Sequence, residues 1–164
     1  MKFTLSWLKE HLDTQASLTE ITEALTMVGL ELEGVEDRAK GLETFVTARV
    51  IEAKQHPNAD RLRICQVDPG NGGIVELVCG ASNARTGLIG VFAPGGSYIP
   101  GLDVTLKPTE IRGVMSNGML LSEREMGISD EHEGIVDLPE GTPIGKPAID
   151  VMGLNDPIIE IAIT

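Results

Sequence analysis

The amino-acid sequence is poor in aromatic residues, in long apolar runs and in cysteine motifs. Phe, Trp and Tyr make up 3% of its 164 residues, whereas 19 glycines and 9 prolines favour short strands joined by tight turns. No apolar stretch reaches about 18 residues, so a membrane-spanning helix is not expected. The mixed run Met1–Leu12 lacks the apolar centre of a secretory signal. We therefore expect a cytoplasmic protein without a membrane partner.

The two cysteines, Cys65 and Cys79, lie within apolar runs and form no CxxC pair, and the three histidines are scattered. This pattern predicts buried, reduced thiols and no metal site. The glycine-rich run 87–101 lacks the Gly-Lys-Ser/Thr ending of a phosphate-binding loop. We predict no catalytic residue, no metal site and no cofactor in this chain.

The net charge of −12 is unevenly distributed. Residues 1–39 carry −5 and residues 125–164 carry −8, whereas residues 40–48 are balanced and residues 49–124 carry +1. Phosphate contacts depend on local charge, because salt screens interactions beyond about 8–10 Å. Residues 49–124 are therefore the one segment where a cationic face for a nucleic acid could form. The alternative is that this near-neutral segment forms an ordinary protein surface.

The first forty residues predict two helices. Leucines follow helical spacing between residues 5 and 12. Ser17 and Glu20 form a capping box that begins the second helix, and Gly29 suits the left-handed residue just past its end. Residues 30–35 then alternate apolar and acidic side chains, as an exposed edge strand or a linker would.

From Phe45 onward the apolar pattern has a period of two, with glycine and proline turns between short segments. About five strands in some 75 residues are typical of a small antiparallel barrel with the oligonucleotide/oligosaccharide-binding (OB) fold. Two adjacent apolar residues, Ile64 and Cys65, predict a bulge or sharp curl. A second capping box, Ser122 with Glu125, begins a short helix. The predicted strands are Val46–Ala53, Arg61–Asp68, Ile74–Cys79, Ile89–Ala93, Leu102–Leu106, Thr109–Arg112 and Met119–Leu121.

The ends of the chain frame this barrel. An acidic, proline-containing connector, residues 131–147, precedes the apolar strand pattern of Ile158–Thr164. We predict an α+β fold in which a five-stranded antiparallel OB-fold barrel, residues 40–147, is inserted into a small helix-plus-strand domain, residues 1–39 plus 148–164. Because no cap or turn follows the last strand, we expect the sequence to be truncated there.

Two segments of the barrel carry a functional signal. The first, His56-Pro57-Asn58-Ala59-Asp60-Arg61-Leu62, lies between the first two strands. The second contains Ile111-Arg112-Gly113-Val114 and Ser116-Asn117-Gly118-Met119-Leu120-Leu121-Ser122. In this order, with the barrel pattern between them, they resemble the EMAP-type tRNA-binding domain shared by several aminoacyl-tRNA synthetases and freestanding tRNA-binding proteins.

Further segments extend the resemblance over residues 1–164. The chain resembles the N-terminal region of the β subunits of bacterial phenylalanine–tRNA ligases. It departs from that family at Ser82, where proline is common, and at Leu121, where cysteine is frequent. The segments that carry the resemblance are Met1–Leu12, Gly29–Gly34, Val78–Ala81, Asn83–Arg85, Ser122–Gly127 and His132–Ile135.

The resemblance implies a place in an ATP-dependent aminoacyl-tRNA synthetase that uses ATP and magnesium and has two α and two β subunits. In that family the α subunit holds the aminoacylation site and the editing site lies further along the β subunit. This segment alone is therefore expected to be inactive, with tRNA and the α subunit as partners. A structural docking module with little tRNA contact and a freestanding tRNA-binding protein are the alternatives.

The OB fold binds its ligands at the face of the second and third strands and at the adjoining loops. Pro57 would stiffen the first loop, Asn58 and Asp60 would hold a turn, and His56 would offer a flat ring for stacking on a base. Turn formation alone could account for the first-loop polar residues, and a solvated face could account for the arginines. The candidate tRNA-binding residues are Lys54, His56, Asn58, Arg61, Arg63, Arg85, Arg112, Ser116 and Asn117.

Overall fold

A computed structural model describes residues 1–162. Ile163 and Thr164, the end of the last predicted strand, lie outside the described residues. Internal contacts divide the chain into two compact units, Met1–Lys40 with Gly153–Thr164, and Gly41–Met152. The short helix Ala148–Val151 belongs to the second unit, since the N–H of Ala148 donates to the carbonyl of Phe45 at 3.0 Å.

Short elements make up both units. The helices are α1 (Leu5–His11), α2 (Leu18–Met27), α3 (Glu123–Met126) and α4 (Ala148–Val151). The strands are β1 (Lys2–Thr4), β2 (Glu31–Glu36), β3 (Val46–His56), β4 (Ala59–Asp68), β5 (Val75–Cys79), β6 (Ile89–Ala93), β7 (Tyr98–Ile99), β8 (Val104–Thr105), β9 (Thr109–Ile111), β10 (Val114–Ser116), β11 (Met119–Leu120) and β12 (Ile158–Ala162). Within residues 1–162 no helix is long and apolar enough to cross a membrane.

The first unit is a three-stranded antiparallel sheet, in the order β1-β12-β2, with two helices. Ile21 of α2 packs with Ile159 and Ile161 of β12 to form its core. The predicted capping box is confirmed, because Ser17 accepts from the N–H of Glu20 and the Glu20 carboxylate accepts from the N–H of Ser17. The alternating segment 30–35 forms the edge strand β2 rather than a linker.

The second unit contains a five-stranded antiparallel sheet in the order β11-β6-β3-β4-β5, which is consistent with the predicted OB-like barrel. The prediction of Ile89–Ala93 as a strand is confirmed. The predicted strand Leu102–Leu106 is too long. Within it, Val104–Thr105 forms the strand β8, which pairs with β7. The predicted helix after Ser122 is confirmed, and it ends at Gly127 in the left-handed conformation.

The barrel core lies between the inner faces of these strands. Phe45, Val50, Leu77 and Leu88 are fully buried there or beside it. The N–H of Asn117, just before β11, donates to the Glu76 carbonyl of β5 at 2.9 Å. This bond brings together β5 and β11, the two end strands of the sheet.

The predicted irregularity in β4 lies instead on its partner strand. Val50 faces Val67 and Glu52 faces Gln66, so Ile51 is the extra residue of a bulge in β3. Strand β4 pairs regularly with β5 through Ile64 and Cys65. Two apolar residues are adjacent in β4 because they lie on opposite faces of the strand. Cys65 is buried inside the barrel, and Ile64 is half-buried on the outer face of the barrel.

Both cysteines are buried free thiols. Burial raises the pKa of Cys65 to about 11, and the neighbouring Cys79 adds to the effect. A thiol with such a pKa is almost entirely protonated at neutral pH and is therefore a poor nucleophile. Among residues 1–162 no group of three His, Cys, Asp or Glu side chains is arranged to hold a metal ion.

Candidate nucleic-acid interface

His56 joins the two sequence motifs. Its ring is only 2% exposed and lies between the loop after β3 and the hairpin β9–β10. The N–H of Asn58 donates to Nδ1 at 3.0 Å, so Nδ1 carries no proton. The proton is then on Nε2, which donates to the carbonyl of Ile111 at 3.0 Å. Because the ring is buried, the predicted stacking of His56 on a base is wrong.

A second bond links the same segments. The side-chain amide of Asn58 donates to the carbonyl of Arg112 at 3.1 Å. Arg112 and Gly113 form the turn between β9 and β10, with φ of 53° and 90°. Two consecutive left-handed residues are typical of a type I′ hairpin turn, which favours glycine at Gly113. We call residues 56–58 together with the hairpin 109–116 the rim.

The rim corresponds to the two loops at which OB folds bind oligonucleotides, the loop between the first two barrel strands and the loop between the last two. Sequence alone separates these loops by about fifty residues, and the structure brings them into direct contact. Gln55 also supports the first loop, since its side-chain amide donates to the Ala59 carbonyl at 2.8 Å. Neither the role of Gln55 nor that of the Ile111 carbonyl was predicted from sequence, because both bonds end on backbone acceptors, which carry no residue-type signal.

Two of the predicted arginines are engaged elsewhere. Arg63 is half-buried and donates to the backbone carbonyl of Ala84. Arg85 forms a two-point ion pair with Asp137 at 2.8 and 3.1 Å, and that hydrogen bond raises the pKa of the guanidinium. The half-buried Arg63 therefore braces the barrel through its backbone contact, whereas Arg85 stays exposed in its ion pair, and its predicted contact with tRNA stays a prediction.

Three predicted cations remain exposed on or near the rim: Lys54, Arg61 and Arg112. Lys54 makes only a loose, exposed ion pair with Glu52 at 3.7 Å, which water and salt screen strongly. No ion pair engages Arg61 or Arg112 within the described part of the chain. A phosphate could pair with Arg112 on the rim and with Lys54 and Arg61 beside it, although the exposed acids Glu110 and Asp60 lie close to them in sequence.

The polar pair before β11 has separate roles. Ser116 is 6% exposed, and its hydroxyl accepts from the N–H of Val78 at 3.0 Å, so its predicted contact with a base or phosphate is wrong. Asn117 is exposed, but its backbone and side-chain N–H groups both face the carbonyl of Glu76, at 2.9 and 3.5 Å. Both residues close the barrel.

The outer face of β4 and β5 has no aromatic side chain. Leu62, Ile64 and Val78 are half-buried there, and Gln66 donates to Glu76 at 2.7 Å. Recognition of single-stranded bases usually depends on aromatic stacking. This surface is better suited to contacts with a folded backbone than to reading separate bases.

Comparison with known families identifies a domain match. Residues 45–147 match the family described as "Putative tRNA binding domain". This range contains every residue of the rim and most of the barrel.

Comparison with known proteins extends the match. The chain is 60% identical over 170 residues to a phenylalanine–tRNA ligase β subunit of Cereibacter sphaeroides and 56% identical over 164 residues to that of Zymomonas mobilis. Each match covers 100% of this chain and 21% of the relative, so the chain spans about a fifth of the length of those proteins.

A solved structure, the MetRS-related protein from Pyrococcus horikoshii, gives a weaker match. It has a TM-score of 0.45 at 24% identity and covers 62% of this chain and 85% of that one. A likeness at this level supports no conclusion about function.

Proposed function

The chain belongs to the family of tRNA-binding domains, and from this membership we propose that it is a segment of a phenylalanine–tRNA ligase β subunit that binds tRNA through the rim. The identity of 56–60% over its whole length to β subunits supports this origin. Its position at the N-terminal end of a longer β subunit, and the insertion of the barrel unit Gly41–Met152 between Met1–Lys40 and Gly153–Thr164, are parts of the same proposal.

The observation that carries the proposal is the clamp between the two motif segments. The hydrogen bonds of His56 and Asn58 hold the tip of the hairpin against the first loop. A surface that is ordered before binding loses less conformational entropy when the ligand docks. Lys54, Arg61 and Arg112 then supply charge to the phosphate backbone, the source of most nonspecific RNA affinity.

Binding through this surface is directed by tRNA shape. With about three phosphate contacts, log K falls with log salt at a slope of about −2 to −3, and dissociation constants lie between about 1 and 100 µM at physiological salt. Residues 1–39 have a net charge of −5 and residues 125–164 a net charge of −8. These negative charges repel an anionic ligand and weaken binding further.

Fluorescence anisotropy with labelled tRNA at two salt concentrations tests the proposal. Replacing Arg61 and Arg112 with alanine should weaken binding and flatten the salt slope by roughly one unit per lost contact. Arg124→Ala is the matched control, because Arg124 is an exposed arginine of the same unit outside the rim. If the unmodified chain does not associate with tRNA even at low salt, direct binding is refuted and a structural docking role accounts better for the segment.

The catalytic setting follows from the family. We infer that the complete protein acts with an α subunit in ATP- and magnesium-dependent aminoacylation of tRNA, and that this segment contributes binding rather than chemistry. The chain should show no ATP–pyrophosphate exchange with phenylalanine and no hydrolysis of mischarged tRNA. Either activity above background, in a preparation free of host synthetase, would contradict this assignment.

A further inference from the structure

The turn between β4 and β5 carries an Asn-Gly pair at its tip. Five asparagines occur in the chain, and two of them, Asn71 and Asn117, precede glycine. An asparagine in this position loses its side-chain amide most readily, because glycine has no Cβ to hinder the attack of its backbone nitrogen on the side chain before it. The structure around each pair decides whether that attack takes place.

The Asn71 side chain is exposed and is held in an arrangement that favours the attack. Residues 70–74 are all exposed. Oδ1 of Asn71 accepts from the N–H of Gly73 at 3.0 Å, and this bond folds the side chain back over the backbone that follows it. The same N–H would stabilise the negative charge that develops on Oδ1 when a nucleophile adds to Cγ.

The backbone nitrogen of Gly72 is the nucleophile. Gly72 lies between the two strands, and among residues 1–162 no hydrogen bond engages its N–H. Its φ is 87°, and apart from its chain neighbours no heavy atom lies within 4 Å of the place where a Cβ would be. Solvent can therefore reach this N–H and take its proton.

The base of the turn is fixed to the barrel. The Asp68 carboxylate accepts from the N–H of Gly70 at 2.8 Å. A Cβ at Gly70 would lie 2.6 Å from Cα of Gly145, whose N–H in turn donates to the carbonyl of Thr47 in β3 at 2.8 Å. A change in the backbone at residues 71–73 is therefore confined to the exposed tip.

The other Asn-Gly pair is locked into the barrel. The backbone and side-chain N–H groups of Asn117 face the carbonyl of Glu76, at 2.9 and 3.5 Å. Gly118 is half-buried, and a Cβ there would lie 2.5 Å from the Phe92 ring. Ring closure requires the backbone between asparagine and glycine to rotate, and close packing opposes that rotation. The chain thus holds the same dipeptide in an open and in a protected setting.

We propose that Asn71 is a site of spontaneous deamidation, with water as the co-reactant. The Gly72 nitrogen gives its proton to solvent and bonds to Cγ of Asn71, while the Cγ–Nδ2 bond breaks and Nδ2 takes up a proton and leaves as ammonia. Water then opens the resulting succinimide at either carbonyl and forms aspartate or isoaspartate. Each product adds a carboxylate to the tip, and isoaspartate also adds a methylene to its backbone. This modification is independent of tRNA binding at the rim.

Peptide mapping by mass spectrometry tests the proposal on the 164-residue chain, incubated at neutral pH with and without urea. In the folded chain Asn71 should lose its amide at least about tenfold faster than Asn117. In urea the two rates should agree within about twofold, because the local sequence alone then sets the barrier. Isoaspartate at residue 71, detected by enzymatic methyl transfer from S-adenosylmethionine, marks the succinimide route.

Variants separate the attack from general loosening of the fold. Gly72→Ala should slow the loss at Asn71 about tenfold, because a Cβ hinders the nitrogen. Gly96→Ala is the matched control, since Gly96 is also exposed, has a φ of 91° and has open space around it. It brings the same backbone strain to another turn and should leave the rate at Asn71 unchanged. Equal rates at Asn71 and Asn117 in the folded chain, an unchanged rate with Gly72→Ala, or aspartate without isoaspartate would overturn the proposal.

Discussion

Replacing His56 with alanine should cost the protein about 3–4 kcal/mol of unfolding free energy. The substitution leaves the N–H of Asn58 and the carbonyl of Ile111 without the ring nitrogens that they bond. Each unpaired group costs about 1–3 kcal/mol where it stays out of contact with water, and the vacated ring volume adds a cavity term. Water entering from the exposed side of the loop offsets part of this sum. The midpoint of urea denaturation measures the change.

The same substitution should affect tRNA binding in a particular way. The hairpin 109–116 would lose its anchor, so its amide hydrogens should exchange faster and tRNA affinity should fall. The salt slope should stay the same, because no phosphate contact is lost. His132→Ala is the control: His132 is exposed and its ring bonds locally to the carbonyl of Asp130, so we expect a change below about 0.5 kcal/mol. A loss below 0.5 kcal/mol for His56→Ala, or unchanged exchange in the hairpin, would refute the role of the clamp.

Two further substitutions test the packing of the barrel. Gly118→Ala should destabilise the protein by about 2–4 kcal/mol in a thermal melt. The backbone there has a φ of +84°, and the new Cβ would lie 2.5 Å from the Phe92 ring and 2.6 Å from the carbonyl of Ala93. Gly95→Ala is the control and should be nearly neutral in the same melt, because the space around Gly95 is open. The raised pKa of Cys65 means that the folded state holds its proton more tightly than the unfolded state, so the stability gained is complete below about pH 9 and is lost as the pH rises towards 11. The unfolding free energy of the wild type should therefore fall towards that of Cys65→Ala by up to about 2 kcal/mol between pH 9 and pH 11. If the two free energies run parallel over this range, the Cys65 thiol does not contribute to the pH dependence of stability.

Local signals predicted the structure best. Both capping boxes are correct because the Ser–Glu pair and the backbone groups that it satisfies lie within four residues of one another. The strand Ile89–Ala93 is correct because turn residues bound it on both sides. The bulge was placed on the wrong strand, because alternation reports which face a residue occupies and says nothing about register with a partner.

The candidate site was harder to predict than the fold. The two motif segments were identified from sequence, but the direction of each side chain depends on distant contacts. Arg63 shares the inward face of β4 with Cys65 and reaches the carbonyl of Ala84, and Ser116 turns toward β5. His56 was expected to present its ring to a ligand, and its burial became evident only once Ile111 was placed beside it.

The left-handed backbone of Arg112 limits what evolution or a selection experiment can place at the tip of the hairpin. Residues other than glycine, asparagine and aspartate adopt this conformation at a cost of about 1 kcal/mol. A randomised library at this position, sorted for thermal resistance alone, should enrich glycine and asparagine. A library sorted for retention of tRNA should keep arginine at the expense of melting temperature. Opposite outcomes of the two selections would show that this position trades thermal stability against tRNA affinity.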